Sequence, residues 1–157
     1  MLISAILFSI AFATILTAHI FERYAGYAPC PLCLQERYAY YFAVPSTLVA
    51  FFAARTESFT LTRLLLVLIA AVFLLNAVVG IYHAGVEWKW WAGPTSCSAG
   101  TAVEWGEGGV ASSIEHPQVV SCSEARWRFL WLSFAGWNAV ISGFLAGLAA
   151  FGASPRR

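Results

Sequence analysis

Pro29-Cys30-Pro31-Leu32-Cys33-Leu34-Gln35-Glu36-Arg37 is the stretch whose residue types and spacing could do chemistry: two thiols three positions apart, at the mouth of a long apolar segment. Thiols so spaced can close a small ring, and a proline directly after the first suits the opening turn of a helix, where its missing N–H loses nothing. Cys30 then falls at the helix N-cap. The unsatisfied N–H groups and the positive end of the helix dipole favour a thiolate there, and Arg37, one turn beyond Cys33 on the same face, adds a fixed positive charge. Zinc is the competing chemistry. It needs four ligands at characteristic spacing, which neither Cys97, Cys122 nor the scattered histidines repeat, so the sequence predicts a redox pair and no metal.

The elements that must position this pair are apolar. Of 157 residues, 60% are hydrophobic and 11% charged, and mean hydropathy is +0.71, which excludes an ordinary soluble domain of this size and predicts an all-α membrane protein. Net charge is +1 with scattered basic residues, so no nucleic-acid partner is implied. There is one lysine and no aspartate, as befits a chain with little aqueous surface.

A single integral domain over residues 1–157 follows, as a bundle of four transmembrane helices at about 2–21, 31–54, 64–83 and 129–151, with a long periplasmic loop, 84–128, between the third and fourth. The first segment lacks a basic leader region and a convincing small-residue cleavage site, so it reads as a retained helix; His19 near its end reads as interfacial. Pro45 should kink the second helix, and Glu36 and Arg37, costly against lipid, should lie at the interface or point into the bundle. Asn76 is the one strongly polar side chain inside the third span and is expected to bond another helix. Trp88, Trp90 and Trp91 read as interfacial anchors, and Pro94 and Pro117 interrupt the loop.

Four spans put the first and third connections on one side, and with them all four cysteines. Arg55, Arg63, Arg156 and Arg157 crowd two short segments opposite, whereas Arg23, Arg37, Lys89, Arg126 and Arg128 are spread over longer stretches on the cysteine side. Positive charge density therefore places the termini in the cytoplasm and the cysteines outside, on the oxidising face. A disulfide joining Cys97 and Cys122 would be tethered but mobile, exposed to an incoming thiolate more than it staples the loop. Two such pairs suggest a relay from an external dithiol to the loop pair, then to Cys30 and Cys33, and onward. A strongly oxidising periplasmic dithiol sits near roughly −120 mV and glutathione near about −200 mV, so a glutathione sink runs uphill and a membrane quinone is the fitting acceptor.

Three stretches stand out together: Cys30-Pro31-Leu32-Cys33-Leu34-Gln35-Glu36-Arg37-Tyr38, His83-Ala84-Gly85-Val86-Glu87-Trp88 leading to Cys97, and Ser121-Cys122-Ser123-Glu124-Ala125-Arg126-Trp127-Arg128-Phe129-Leu130. In them the sequence resembles the DsbB family of membrane quinone-dependent thiol oxidases. The match around Cys97, from Gly93 to Gly100, is loose. The resemblance implies a bacterial inner-membrane enzyme that reoxidises a periplasmic DsbA-like dithiol protein and passes electrons to a quinone, ubiquinone or menaquinone. It makes Cys97 the cysteine of the mixed disulfide, with Cys122 its partner, able to link transiently to Cys30. Cys33 is then the cysteine facing the quinone, Arg37 the arginine beside its head and His83 a histidine near that site. Two other readings use the same residues: a membrane thiol reductase running electrons outward, and a non-enzymatic, disulfide-stapled membrane subunit with His19 and His83 as haem ligands.

Overall fold

The computed structural model describes residues 1–26, 28–98, 121–125 and 127–154. Ala99, Gly100, Pro117, Arg126, Arg156 and Arg157, used above, lie outside the described residues. Four long helices dominate: α1 (Leu2–Ala25), α2 (Pro31–Arg55), α3 (Phe59–Glu87) and α5 (Phe134–Ala153). A single turn, α4 (Thr95–Ser98), precedes a two-stranded hairpin of β1 (Arg128–Phe129) and β2 (Leu132–Ser133). Among the described residues α1, α3 and α5 are long and apolar enough to cross a membrane. α2 has the length, 25 residues, but carries Gln35, Glu36 and Arg37 in its first two turns.

Local chemistry sets the helix ends. α1 stops at Gly26, whose φ of 70° is the left-handed conformation a glycine adopts freely, and its N–H returns to the Phe21 carbonyl. α2 starts as the proline predicts: Cys30 is the N-cap, extended at φ −77° and ψ 167°, with Pro31 in the first turn. The helix continues through Pro45, which has no N–H for the Tyr41 carbonyl. Next to it Ser46 donates to the Phe42 carbonyl and Thr47 to the carbonyls of Ala43 and Val44, so hydroxyls serve the backbone there.

The third helix is longer than 64–83 at both ends, and the polar connection before it shrinks to residues 56–58. The fourth helix begins at Phe134 and not at Phe129. Ser133 Oγ accepts the Gly136 N–H at 3.2 Å and fixes that start, while the preceding apolar residues fold into the hairpin. At its tip Leu130 and Trp131 have φ of 48° and 72°, conformations that tight hairpin turns require and that Asn and Gly ordinarily supply.

The bundle closes because each helix turns one narrow stripe inward. Leu7, Ala11 and Ile15 of α1, Ala39, Tyr40 and Ala43 of α2, Leu66, Ile69 and Phe73 of α3, and Leu145, Ala146 and Ala149 of α5 form its core. The most extensive interface is α3 on α5, where Gly80 lets the backbones approach: a Cβ there would stand 3.0 Å from the Ala139 nitrogen. Large apolar side chains such as Phe12, Leu74, Leu75, Ile81 and Phe144 point outward, a surface suited to lipid. Asn76 bonds across helices as expected, donating to Ser142 Oγ at 2.9 Å and to Asn138 Oδ1 at 3.2 Å.

Candidate functional site

Continuing along the α3 stripe, Leu66, Ile69, Phe73, Asn76 and Gly80 lead in helical steps to His83, 1% exposed, at the end of the bundle where the cysteines gather. There the N-cap of α2 brings Cys30 beneath it. Cys30 Sγ stands 3.5 Å from His83 Nε2, and His83 Nδ1 stands 2.9 Å from Glu36 Oε1. A carboxylate can only accept, so Nδ1 carries the proton and Nε2 is the nitrogen presented to the sulfur. Thiol, imidazole and carboxylate are thus connected in one buried line. Glu87, one turn beyond His83, adds a second carboxylate at 4.0 Å from Nε2, and its Oε2 has no hydrogen-bond partner among the described residues.

Cys30 and Cys33 are free thiols with sulfurs 3.1 Å apart. Cys30 Sγ also accepts the Cys33 N–H at 3.3 Å, a contact that favours negative charge on Cys30. Cys30 lies one residue ahead of α2. The hydrogen bond from Cys33, and then His83, overcome burial and pull its thiol down from 9.0 to about 4. Both contacts favour the thiolate form of Cys30.

Cys97 and Cys122 are joined by a disulfide, with Cα atoms 5.2 Å apart across 25 positions. The expectation of an exposed, loosely held crosslink is not met. Cys97 is 3% and Cys122 1% exposed, packed with Cys30, Leu32 and Val86. Apolar sulfur buries readily, and α4 and the turn after Ser121 tuck both residues against the mouth of α2 and the last turns of α3. Cys122 Sγ, Cys30 Sγ and a His83 ring nitrogen all lie within 4.8 Å of one another. Of the residues singled out from sequence, the fold therefore unites Cys30, Cys33, Cys97, Cys122 and His83.

Arg37 is placed differently from a free charge beside Cys33. Its Nη1 donates to Glu22 Oε2 at 2.5 Å, tying α2 to α1. Arg37, Cys33, His83 and Tyr40 nevertheless line one cavity of about 500 Å³, with Phe21, Ile141 and Trp137 among its apolar walls. His19 is half exposed and contacts the Tyr41 hydroxyl at 3.0 Å. Because both His83 nitrogens face protein groups, ligation of a haem by His19 and His83 would have to break the contacts with Glu36 and Cys30.

Three acidic residues were not given roles from sequence: Glu36, Glu22 and Glu87. Glu36 carried a signal, since a carboxylate three residues after Cys33 in an apolar helix needs a partner, but that partner is 47 positions away. Glu22 and Glu87 gave none beyond their cost in an apolar chain.

A family model described as disulfide bond formation protein DsbB matches residues 2–152. Among curated proteins the chain is similar to Uncharacterized protein RP370 of Rickettsia prowazekii (strain Madrid E), 25% identical over 147 residues that cover 89% of this chain and 80% of that protein. No solved structure matches the chain. With nearly its whole length matched, and its cysteines assembled at one end of an apolar helical bundle, the chain belongs to the DsbB family of membrane oxidoreductases that generate disulfides.

Proposed function

We propose that this protein reoxidises a periplasmic DsbA-like dithiol protein and passes the electrons through its two cysteine pairs to a membrane quinone, ubiquinone or menaquinone. The observation that carries the proposal is the seating of the Cys97–Cys122 disulfide against the Cys30 sulfur, with Cys122 Sγ within 4.8 Å. Docking of the partner has to uncover Cys97, which is 3% exposed here; the partner's thiolate then attacks Cys97 Sγ, the bond to Cys122 breaks, and the partner's second thiol resolves the mixed disulfide. The Cys122 thiolate then attacks Cys30 of an oxidised Cys30–Cys33 pair, Cys33 leaves as thiolate, and Cys97 closes on Cys122. The conformation described here, loop pair oxidised and helix pair reduced, is the product of that transfer.

His83 handles the proton at Cys30. As Cys30 becomes the leaving or attacking sulfur, Nε2 takes or returns its proton, and Glu36 holds the ring in the tautomer that makes this feasible. The apolar cavity suits a quinone: large enough for a ring and the start of a tail, with a few polar groups to orient the head. Arg37 would hold that head, with Cys33 facing it and His83 beside it, and Phe21, Ile141 and Trp137 would hold the apolar part. When bound, a quinone supplies a two-electron, two-proton sink.

The proposed setting is the bacterial inner membrane, with four spans including α2, cytoplasmic termini and periplasmic cysteines, supported by the crowding of arginines opposite the cysteines. Purified protein in lipid nanodiscs, given a reduced dithiol protein and ubiquinone or menaquinone, should consume quinone and dithiol in equal amounts. Oxidation of the dithiol without loss of quinone would overturn the quinone assignment, and reduction of the partner at the expense of quinol would reverse the direction.

A further inference from the structure

The same end of the bundle brings together donors of another kind. We propose that once the Cys97–Cys122 bond is reduced, Cys30, His83 and Cys122, with Cys33 as fourth donor, form a binding site for a thiophilic divalent cation of the zinc class. Spacing along the chain hid this, because positions 30, 83 and 122 follow no ligand pattern; the fold supplies the convergence.

Four observations carry the proposal. The ligand atoms of Cys30, His83 and Cys122 lie within 4.8 Å of one another, and all three residues are buried. A tetrahedral zinc with bonds of about 2.3 Å to sulfur and about 2.0 Å to nitrogen needs ligand separations of roughly 3.5–3.8 Å, so about 1 Å of closure suffices. Release of Cys122 from its disulfide removes the bond that holds its sulfur on Cys97. Cys33 Sγ, 3.1 Å from Cys30 Sγ but outside the group of three, would supply a third sulfur by swinging toward His83 and Cys122. Finally, Glu36 Oε1 at 2.9 Å from His83 Nδ1 is the outer partner that ligating histidines commonly have: it holds Nδ1–H and turns Nε2, 3.5 Å from the Cys30 sulfur, toward the site, where it ligates once it has given up its proton.

The chemistry balances without a further redox partner. Two electrons from a dithiol, or from a phosphine that becomes its oxide, convert the Cys97–Cys122 bond to two thiols. The hydrated cation then loses its waters, three metal–sulfur bonds and one metal–nitrogen bond form, and the protons still on the ligating thiols and on His83 Nε2 pass to solvent. Cys97 is left out. Occupancy would hold Cys30, Cys33 and Cys122 as bound thiolates and arrest exchange between the pairs, a brake that acts only on reduced protein. The proposal requires the loop disulfide to be reducible but not the quinone linkage, so either can fail alone.

The test uses full-length protein in detergent, freed of metal and reduced with a phosphine, titrated with zinc against a chromophoric chelator and with cobalt(II) followed by absorption. Reduced wild type should bind one zinc per chain and give the intense charge-transfer and visible bands of tetrahedral sulfur-ligated cobalt; the oxidised protein should give neither. Cys97→Ser should bind like reduced wild type, whereas Cys122→Ser and His83→Gln should each weaken binding by about tenfold or more. Helical circular dichroism checks each fold, and Cys30→Ser replaces any variant that fails to fold. Equal binding by oxidised and reduced protein, loss of binding in Cys97→Ser, retention in Cys122→Ser, or weak octahedral cobalt bands would each overturn the site.

Discussion

Two polar clusters are buried on the same stripe of α3, two helical turns apart, and they differ in kind. Around Asn76, the amide, the Ser142 hydroxyl, Asn138 and the Tyr40 hydroxyl bond one another across three helices, all neutral. Around His83 the groups can carry charge: a thiol, an imidazole, Glu36 and, farther off, Glu87. Neutral hydrogen bonds between helices hold a bundle together for a modest gain each. Charged groups in the same apolar surroundings are expensive, and they persist where protons or electrons have to move. The difference between glue and machinery is therefore one of charge and reactivity, since Asn76 and His83 are both buried.

Removal of the reacting sulfur should separate the clusters most sharply. Cys30→Ser should lower disulfide-generating turnover by about a thousandfold or more, because no other thiol occupies the helix N-cap; dithiol oxidation in nanodiscs measures it, and turnover within tenfold of wild type would remove Cys30 from the path. His83→Gln should cost roughly a hundredfold and Glu36→Gln less, since the second acts through the ring it orients. The imidazole also leaves a signature in pH. In zinc-free buffer the alkylation rate of Cys30 should stay level from neutral pH down to about 5 and fall as pH drops through about 4, because the thiolate is the nucleophile and its thiol is held that low. His83→Gln should move that fall toward neutral pH; an unmoved profile would leave His83 as packing alone.

Arg37 tests the border of the active cluster. Arg37→Ala should raise the quinone concentration needed for half-maximal turnover by about tenfold and leave exchange with the protein partner nearly unchanged; lysine should restore part. Equal losses in both half-reactions would make its pairing with Glu22 structural. Asn76→Ala should have the smallest effect, about 1 kcal/mol or less in unfolding from detergent, with turnover near wild type. A large loss of activity there would erase the distinction between the clusters.

The helices and the start of α2 were legible in the sequence because their causes are local. Apolar runs mark α1, α3 and α5, and Cys30 followed by Pro31 marks a cap and first turn. Asn76 could be read as a cross-helix bond because an amide in an apolar helix has few other uses. What lay beyond reading is pairing at a distance: Glu36 with His83, Arg37 with Glu22, and Cys122 against Cys30 depend on how helices rotate and where a long connection returns. Burial of the Cys97–Cys122 bond was missed for a related reason, since the apolar floor it rests on comes from Leu32 and Val86 of other elements.

The N-cap of α2 is a sulfur, and in the proposed cycle it reacts. Cys30 Sγ receives the Cys33 N–H, an office that serine or aspartate oxygen fills elsewhere for about 1 kcal/mol. Each time that sulfur enters a disulfide it loses its charge and becomes a poor acceptor, and the opening turn of the helix loses its anchor. Oxidation state is thereby written into helix fraying: backbone amides at Leu32, Cys33 and Leu34 should exchange with deuterium faster in the oxidised pair than in the reduced one, while those near Ala43 keep one rate throughout. Mass-resolved exchange would show it, and equal rates at Cys33 in both states would mean the turn is held by its neighbours instead. A catalytic cycle would then be audible as a rhythm in the backbone, one turn of helix loosening and tightening with every pair of electrons.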